Sequence, residues 1–196
     1  MMTDTPRILP EELAFDIDGV IADSFRAFVR TARDRYGLDI RYEEITDYDF
    51  RQVIDIDDKT SDEIVEMILE DPLGMGIDPI RGAAEVLRRL SLLRPIRLVT
   101  ARSNREAIGA WFHRILGLGD GRDIIVEAVG SHKEKLPILL RHGIRYFVED
   151  RLETCYLLHG SPVTPIVFEQ PWNRGDHPFL RVENWEEIGE MIKWSP

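Results

Sequence analysis

The sequence predicts an α/β protein: a parallel, Rossmann-like sheet covered by helices, with a small helical insert after its first strand. Three observations lead there. Short runs rich in Ile, Val, Leu and Phe recur along the chain and are apolar on both faces, as strands buried between helical layers are. Amphipathic stretches alternate with these runs, the signature of a doubly wound fold. One region, from about Ser24 to Asp78, breaks the alternation and at more than 50 residues is too long for a simple connection.

Taken in order, the first strand is LAFDI, Leu13–Ile17. In the region that follows, Phe25, Phe28, Val29, Ala32 and Tyr36 fall at helical spacing, and so do Ile64, Val65, Ile68 and Leu69. YEEITDYDF and the acidic DIDDKTSDE lie between them. In the second stretch Asp55, Asp57 and Asp58 resemble a calcium loop, but the required glycine and the terminal Glu spacing are absent, so it reads as a solvated loop. Residues 21–78 are assigned to the insert, and residues 1–20 and 79–196 to the α/β core.

Further strands are predicted in the core at Ile96–Thr100, Ile124–Val129, Tyr146–Asp150 and Pro165–Glu169. Helices are predicted at Ala83–Leu93, Asn104–Leu116, Pro137–His142 and Leu152–Leu158, with a last one near Trp185–Trp194. Gly82, Gly117, Gly143 and Gly160 punctuate their ends, where glycine starts or stops a helix at little cost. Ser103 is expected to cap the helix that opens at Asn104.

The charge balance, 25 basic against 36 acidic residues for a net −11, argues against polymeric nucleic acid and anionic membranes as partners. No stretch approaches the roughly 20 apolar residues that span a bilayer. Cys155 is the only cysteine, so no intramolecular disulfide can form, as suits a reducing compartment. The opening MMTDTPRILPEE has no apolar signal core, and a cytoplasmic location is expected. A homodimer is left open.

Ligands of a parallel α/β sheet bind outside the carboxyl ends of its strands. At those ends stand Asp16 and Asp18, then Thr100, then Lys133 and Lys135 near the end of a crossover, then Glu149 and Asp150. Two acids beside a glycine favour a turn and are a weak signal alone. Carboxylates, a hydroxyl and an amine converging from four segments are not weak. Phosphoryl transfer needs this set. Oxygen ligands from Asp16, Asp18 and Asp150 suit Mg²⁺, which also binds substrate phosphate. One carboxylate can act as nucleophile, a second can protonate the leaving oxygen and later activate water, and Thr100 with a lysine can hold the phosphoryl oxygens. Proline is tolerated in the first turn of a helix, so a helix starting near Pro137 leaves Lys135 just ahead of it on the rim and favours it over Lys133. The rival reading takes Ser131 and Glu134 as a capping box, which would strand Pro137 in a helix interior.

FDIDGV, LVTA, a later lysine and VED resemble, in order, the four motifs of the haloacid dehalogenase (HAD) superfamily in its phosphatase branch. The resemblance implies Asp16 as nucleophile and Asp18 as general acid/base, with Asp18 also reaching Mg²⁺ through its backbone carbonyl. It matches Thr100 to the second motif and Glu149 and Asp150 to the acidic pair of the fourth. It also implies that the insert is that superfamily's helical cap. The tail VFEQPWNRGDHPFLRVENWEEI, from Val167 to Ile188, is similar to the end of the deoxyribonucleotidase group, the pyrimidine nucleotidases of cytosolic type C. That similarity makes a nucleoside monophosphate the expected substrate. Tyr48, Phe50 and Arg102 are the candidate substrate-binding residues, and Trp172 is a further aromatic able to stack on a base.

The alternatives are a phosphatase for a sugar or amino-acid phosphate, a phosphoacceptor signalling domain, and a catalytically silent binding relative. The signalling domain would need a phosphorylated Asp on a later strand, which IRLVT and IIVEAV do not offer. The intact set of Asp16, Asp18, Thr100, Lys135 and Asp150 argues against silence.

Overall fold

The computed structural model describes residues 6–119 and 121–194; the first five residues of the amino-terminal stretch lie outside them. Six strands form one sheet: β1 (Leu13–Phe15), β2 (Ile96–Thr100), β3 (Ile124–Ala128), β4 (Tyr146–Glu149), β5 (Thr164–Phe168) and β6 (Leu180–Val182). All pairings are parallel, in the order β3-β2-β1-β4-β5-β6. The order reverses at β1, which pairs with β2 on one side and β4 on the other, and the crevice for a ligand opens at that reversal. The sheet is buried on both faces. Phe15, Leu98 and Val148 share one core with Trp111 and Trp185, whereas Ala14, Val99 and Phe147 pack with Leu139 and Leu158 in the other. The sequence expectation omits β6, whose three residues straddle the charged Arg181 and make no apolar run.

After β1 the chain enters helix α1 (Ser24–Tyr36), capped by Asp23, whose side chain accepts from the Arg26 N–H, and closed by Gly37 at φ 70°. Helix α2 (Asp58–Glu70) packs against α1 and starts at Asp57, whose side chain accepts from the Thr60 N–H. The acidic run expected as a solvated loop is therefore the start of a helix: carboxylates are stabilised where free N–H groups and the helix dipole meet them. At the base of this excursion the chain leaves and returns side by side. The Asp23 N–H donates to Asp78 O at 2.9 Å and the Ile80 N–H to Ile21 O at 2.7 Å.

The remaining helices are α3 (Ala83–Ser91), α4 (Arg105–Trp111), α5 (Lys135–Arg141), α6 (Leu152–Leu158) and α7 (Trp185–Met191). Helix α4 is capped by Asn104, not by Ser103 as expected, and runs on into a π-helical turn at Phe112–Leu116. Ser131 caps only the short turn His132–Glu134, and α5 begins at Lys135, so Pro137 sits in the first turn, where its missing N–H costs nothing. Among the described residues no helix is long and apolar enough to cross a membrane.

Candidate active site

Asp16 follows β1 directly, and its backbone N–H still donates to Val148 O of β4 at 2.9 Å. The chain then turns sharply: the carbonyl of Ile17 accepts from the N–H groups of Ile21 and Ala22, both at 2.8 Å. Gly19 makes this turn at φ 72°, and a Cβ there would overlap the Asp150 carboxylate. Only glycine satisfies both demands. Gln170 secures the turn from outside, its Nε2 donating to Gly19 O at 2.7 Å while its Oε1 accepts from the Tyr42 hydroxyl at 2.6 Å.

The structure brings together Asp16, Thr100, Lys135, Glu149 and Asp150, all buried. Lys135 Nζ lies 2.9 Å from Asp16 Oδ2 and 2.9 Å from Glu149 Oε2. Lys133, the rival lysine, is exposed. Burial alone would lower the Lys135 pKa, but the two carboxylates outweigh it and hold the ammonium charged. Glu149 is also committed at its other oxygen, which accepts from the N–H groups of Asp150 and Arg151, each at 3.2 Å. Burial would raise Glu149, yet Lys135 and these donors keep it below its ordinary value. It is a buried counter-charge that holds Lys135.

Asp16 and Asp150 differ from Glu149. Burial, reinforced by the Glu149 charge, pushes both pKa values well up. Asp16 Oδ1 and Asp150 Oδ1 are buried without any hydrogen-bond partner. Asp16, Glu149 and Asp150 offer carboxylate oxygens within 4.8 Å of one another, a grouping able to hold a cation. Two orphaned anionic oxygens at such a place fit a hard divalent ion, which would relieve both their desolvation and their repulsion.

The other oxygen of Asp150 accepts from Trp172 Nε1 at 3.1 Å, and Asn173 Nδ2 donates to the Asp150 carbonyl at 2.7 Å and to Phe168 O at 2.8 Å. The indole of Trp172 stacks on Phe25 of α1, ring centres 4.0 Å apart. Trp172 thus serves the carboxylate and the core, and presents no face to a base.

Asp18 is turned away from the acid group. Its Oδ1 accepts from the Ser24 hydroxyl and from Arg102 Nη2 at 2.7 Å, and its Oδ2 from Arg102 Nε at 2.8 Å. Burial would raise Asp18, but Arg102 and Ser24 hold it below the usual carboxylate range. Thr100 Oγ1 accepts from the Arg102 N–H at 3.2 Å, which leaves its own hydrogen to donate.

Above these groups lies a cleft of about 720 Å³ between the sheet rim and the α1–α2 pair. Tyr48 and Phe50 both line it. Tyr48 meets His132 edge-on at 5.9 Å and carries the Arg151 guanidinium 4.6 Å above its ring; Phe50 leans on Phe28 at 4.6 Å. Burial, with help from Lys135 and Arg151, pushes His132 down to about 4, so it is neutral at neutral pH. Ser24, Ser61, His132 and Arg151 are among the cleft residues that sequence reasoning missed, as are Asp49, Arg51 and Asp62. None carries a motif, and each reaches the cleft only through the fold.

Residues 11–195 match the family described as 5′ nucleotidase, deoxy (Pyrimidine), cytosolic type C protein. No curated protein matches the chain. The fold is similar to that of a dehalogenase crystal structure, with a TM-score of 0.58 at 15% identity over 97% of this chain and 98% of that one. It is similar also to a HAD-superfamily hydrolase, subfamily IA, from Geobacter sulfurreducens PCA, at TM-score 0.56 and 19% identity over 91% and 94% of the two chains. CbbY from Rhodobacter sphaeroides, in complex with phosphate, aligns at TM-score 0.55 and 16% identity over 91% and 96%. At such identities the likeness shows a common fold. The family match runs over nearly the whole chain, and with it this chain belongs to the family of 5′ nucleotidase, deoxy (Pyrimidine), cytosolic type C proteins.

Proposed function

We propose that the enzyme hydrolyses a nucleoside monophosphate with Mg²⁺ bound, through a phosphorylated Asp16, and that residues 21–78 act as a cap that meets the leaving group. The observation that carries this reading is the pair of unpartnered buried oxygens, Asp16 Oδ1 and Asp150 Oδ1, beside a charged Lys135 under the cleft. Asp16 and Asp150 would hold the ion, with the Asp18 backbone carbonyl as a third ligand. Bound there, it neutralises phosphoryl charge and orients the ester.

The chain's own groups supply the rest. An Asp16 carboxylate oxygen attacks phosphorus; the bond to the leaving oxygen breaks, and that oxygen keeps the bonding electron pair and takes a proton from Asp18, which must first open its Arg102 contact and become protonated. A water then attacks the phosphorus, giving its proton back to Asp18, and the bond to Asp16 breaks to release phosphate. Thr100 and Lys135 hold the phosphoryl oxygens throughout. These groups meet every phosphomonoester alike, so discrimination falls to the cleft walls. Phe25, Phe28, Phe50, Val65 and Ile68 give the cleft apolar walls against which a base could lie, and Tyr48 lines it with them. Ser61 Oγ, buried in that wall with no partner, offers it one hydrogen bond.

Phosphate release from nucleoside monophosphates, sugar phosphates and amino-acid phosphates, with Mg²⁺ and with chelator, tests the reading. Nucleotides should lead in kcat/KM by roughly tenfold or more. Chelator should abolish turnover, and folded Asp16→Asn should lose orders of magnitude. Preference for a sugar phosphate would overturn the substrate, and near-normal activity of Asp16→Asn would overturn the covalent route.

A further inference from the structure

The chain has four tryptophans, and their indole N–H groups end on two kinds of acceptor. Three meet neutral carbonyls: Trp111 donates to Ile77 O at 2.9 Å, Trp185 to Val20 O at 2.8 Å and Trp194 to Gly189 O at 2.7 Å. Trp172 alone donates to a carboxylate oxygen, Asp150 Oδ2. Its ring is held in place. Trp172 is buried, lies stacked on Phe25, and belongs to the turn Pro171–Asn173, which the Gln170 N–H closes on Asn173 Oδ1 at 2.9 Å. The space beside Asp150 Oδ2 is closed as well, since a Cβ on Gly19 would fall on this same oxygen.

Taken oxygen by oxygen, the three clustered acids leave an ion little. Asp16 Oδ2 and Glu149 Oε2 are held by Lys135, Glu149 Oε1 by two backbone N–H groups, and Asp150 Oδ2 by Trp172. What remains is Asp16 Oδ1 and Asp150 Oδ1, the two oxygens without a partner. A cation is thus offered single carboxylate oxygens and no two-oxygen grip. Ca²⁺ takes about six to eight oxygens at roughly 2.3–2.6 Å and is often held by both oxygens of one carboxylate. Mg²⁺ is content with one or two carboxylates and keeps its waters. We infer that Trp172 is a positioning residue for the ion: by occupying Asp150 Oδ2 it limits this carboxylate to one-oxygen ligation and makes the site prefer Mg²⁺ to Ca²⁺. An indole suits the task, because it donates one hydrogen, accepts none and adds no charge to compete with the ion. Without that donor, Asp150 Oδ2 is a buried anionic oxygen free to turn towards the cation.

The inference rests on the ion site proposed at Asp16 and Asp150, and calorimetric titration of Mg²⁺ and of Ca²⁺ into metal-free protein tests it. Trp172→Phe keeps an aromatic ring against Phe25 and lacks the N–H. Its Mg²⁺ affinity should fall about tenfold or more. Its Ca²⁺ affinity should hold or rise, so the preference for Mg²⁺ shrinks by at least about tenfold. If that variant does not fold, the wild type still decides. In ¹⁵N-labelled protein the indole N–H signal of Trp172 should shift on addition of Mg²⁺ further than those of Trp111, Trp185 and Trp194, because it alone bonds a ligand of the ion. Equal losses for the two ions in Trp172→Phe would overturn the inference, since they would mean that the ring serves the fold alone. An unchanged preference, or an indole signal indifferent to Mg²⁺, would do the same. Binding of Mg²⁺ by the wild type upholds the ion site whatever Trp172 does; a wild type that binds neither ion would overturn both.

Discussion

Among the described residues three buried side chains keep a polar atom without a partner, and two of them, Asp16 and Asp150, are the acids proposed to form the reaction centre. Ser61 is the third. Thr31 shows what a hydroxyl inside a helix ordinarily does: its Oγ1 donates to the carbonyl of Ala27, four residues back, at 2.8 Å. Ser61 makes no such bond, though it shares the buried stripe of α2 with Ile64 and Ile68. An unsatisfied hydroxyl costs about 1–3 kcal/mol. Ser61→Ala should therefore raise Tm by roughly 2–12 °C in a chain of this size. It should also raise KM for the preferred nucleotide about three- to tenfold. A lower Tm with KM unchanged, read by thermal melt and steady-state kinetics, would show that the hydroxyl serves the fold alone. At this scale the sequence made the groups proposed to react legible, because Asp16, Thr100 and Asp150 close apolar strands. It did not make their partners legible. Arg102 and Asp18 lie 84 positions apart, and nothing local in either segment tells of the other.

The turn after β1 joins sequence to chemistry at the next scale. Gly19 carries a left-handed backbone and leaves room for the Asp150 carboxylate. Gly19→Ala adds a strained conformation worth about 1–3 kcal/mol and pushes a methyl group against that carboxylate. Both the melting temperature and the affinity for Mg²⁺ in a calorimetric titration should fall, and wild-type affinity in the variant would contradict the placement of Asp150 at the ion. Strands were the legible elements where they are buried on both faces, as β2 and β4 are. β6 escaped because it is three residues long and pairs with only one neighbour. α2 was legible along Ile64 and Ile68, but its start was hidden: acids that cap a helix look in sequence like acids in a loop.

For the whole molecule, the sheet order gathers acids from β1 and β4 onto one buried spot of an already anionic chain of net charge −11. Folding therefore works against charge repulsion there, and a bound cation should offset it. At a Mg²⁺ concentration a hundred times the dissociation constant, binding adds about 2.7 kcal/mol, or roughly 5–10 °C in Tm. Chelator should remove that gain, and Asp150→Asn should largely abolish it; a Tm indifferent to Mg²⁺ would mean that the acids hold no ion. The class of fold was legible throughout, since alternation and two-faced burial suffice for it. The shape of the cleft was not, because it depends on how α1 and α2 lean over the rim. Asp150 is secured by Trp172, 22 residues further on, and by Asn173. During synthesis the ribosome has made every group proposed to react well before it makes the two that clamp this carboxylate. A nascent chain stopped at β5 would carry the complete chemical inventory without the two groups that clamp Asp150, so the proposed centre is assembled only once residues beyond β5 are made.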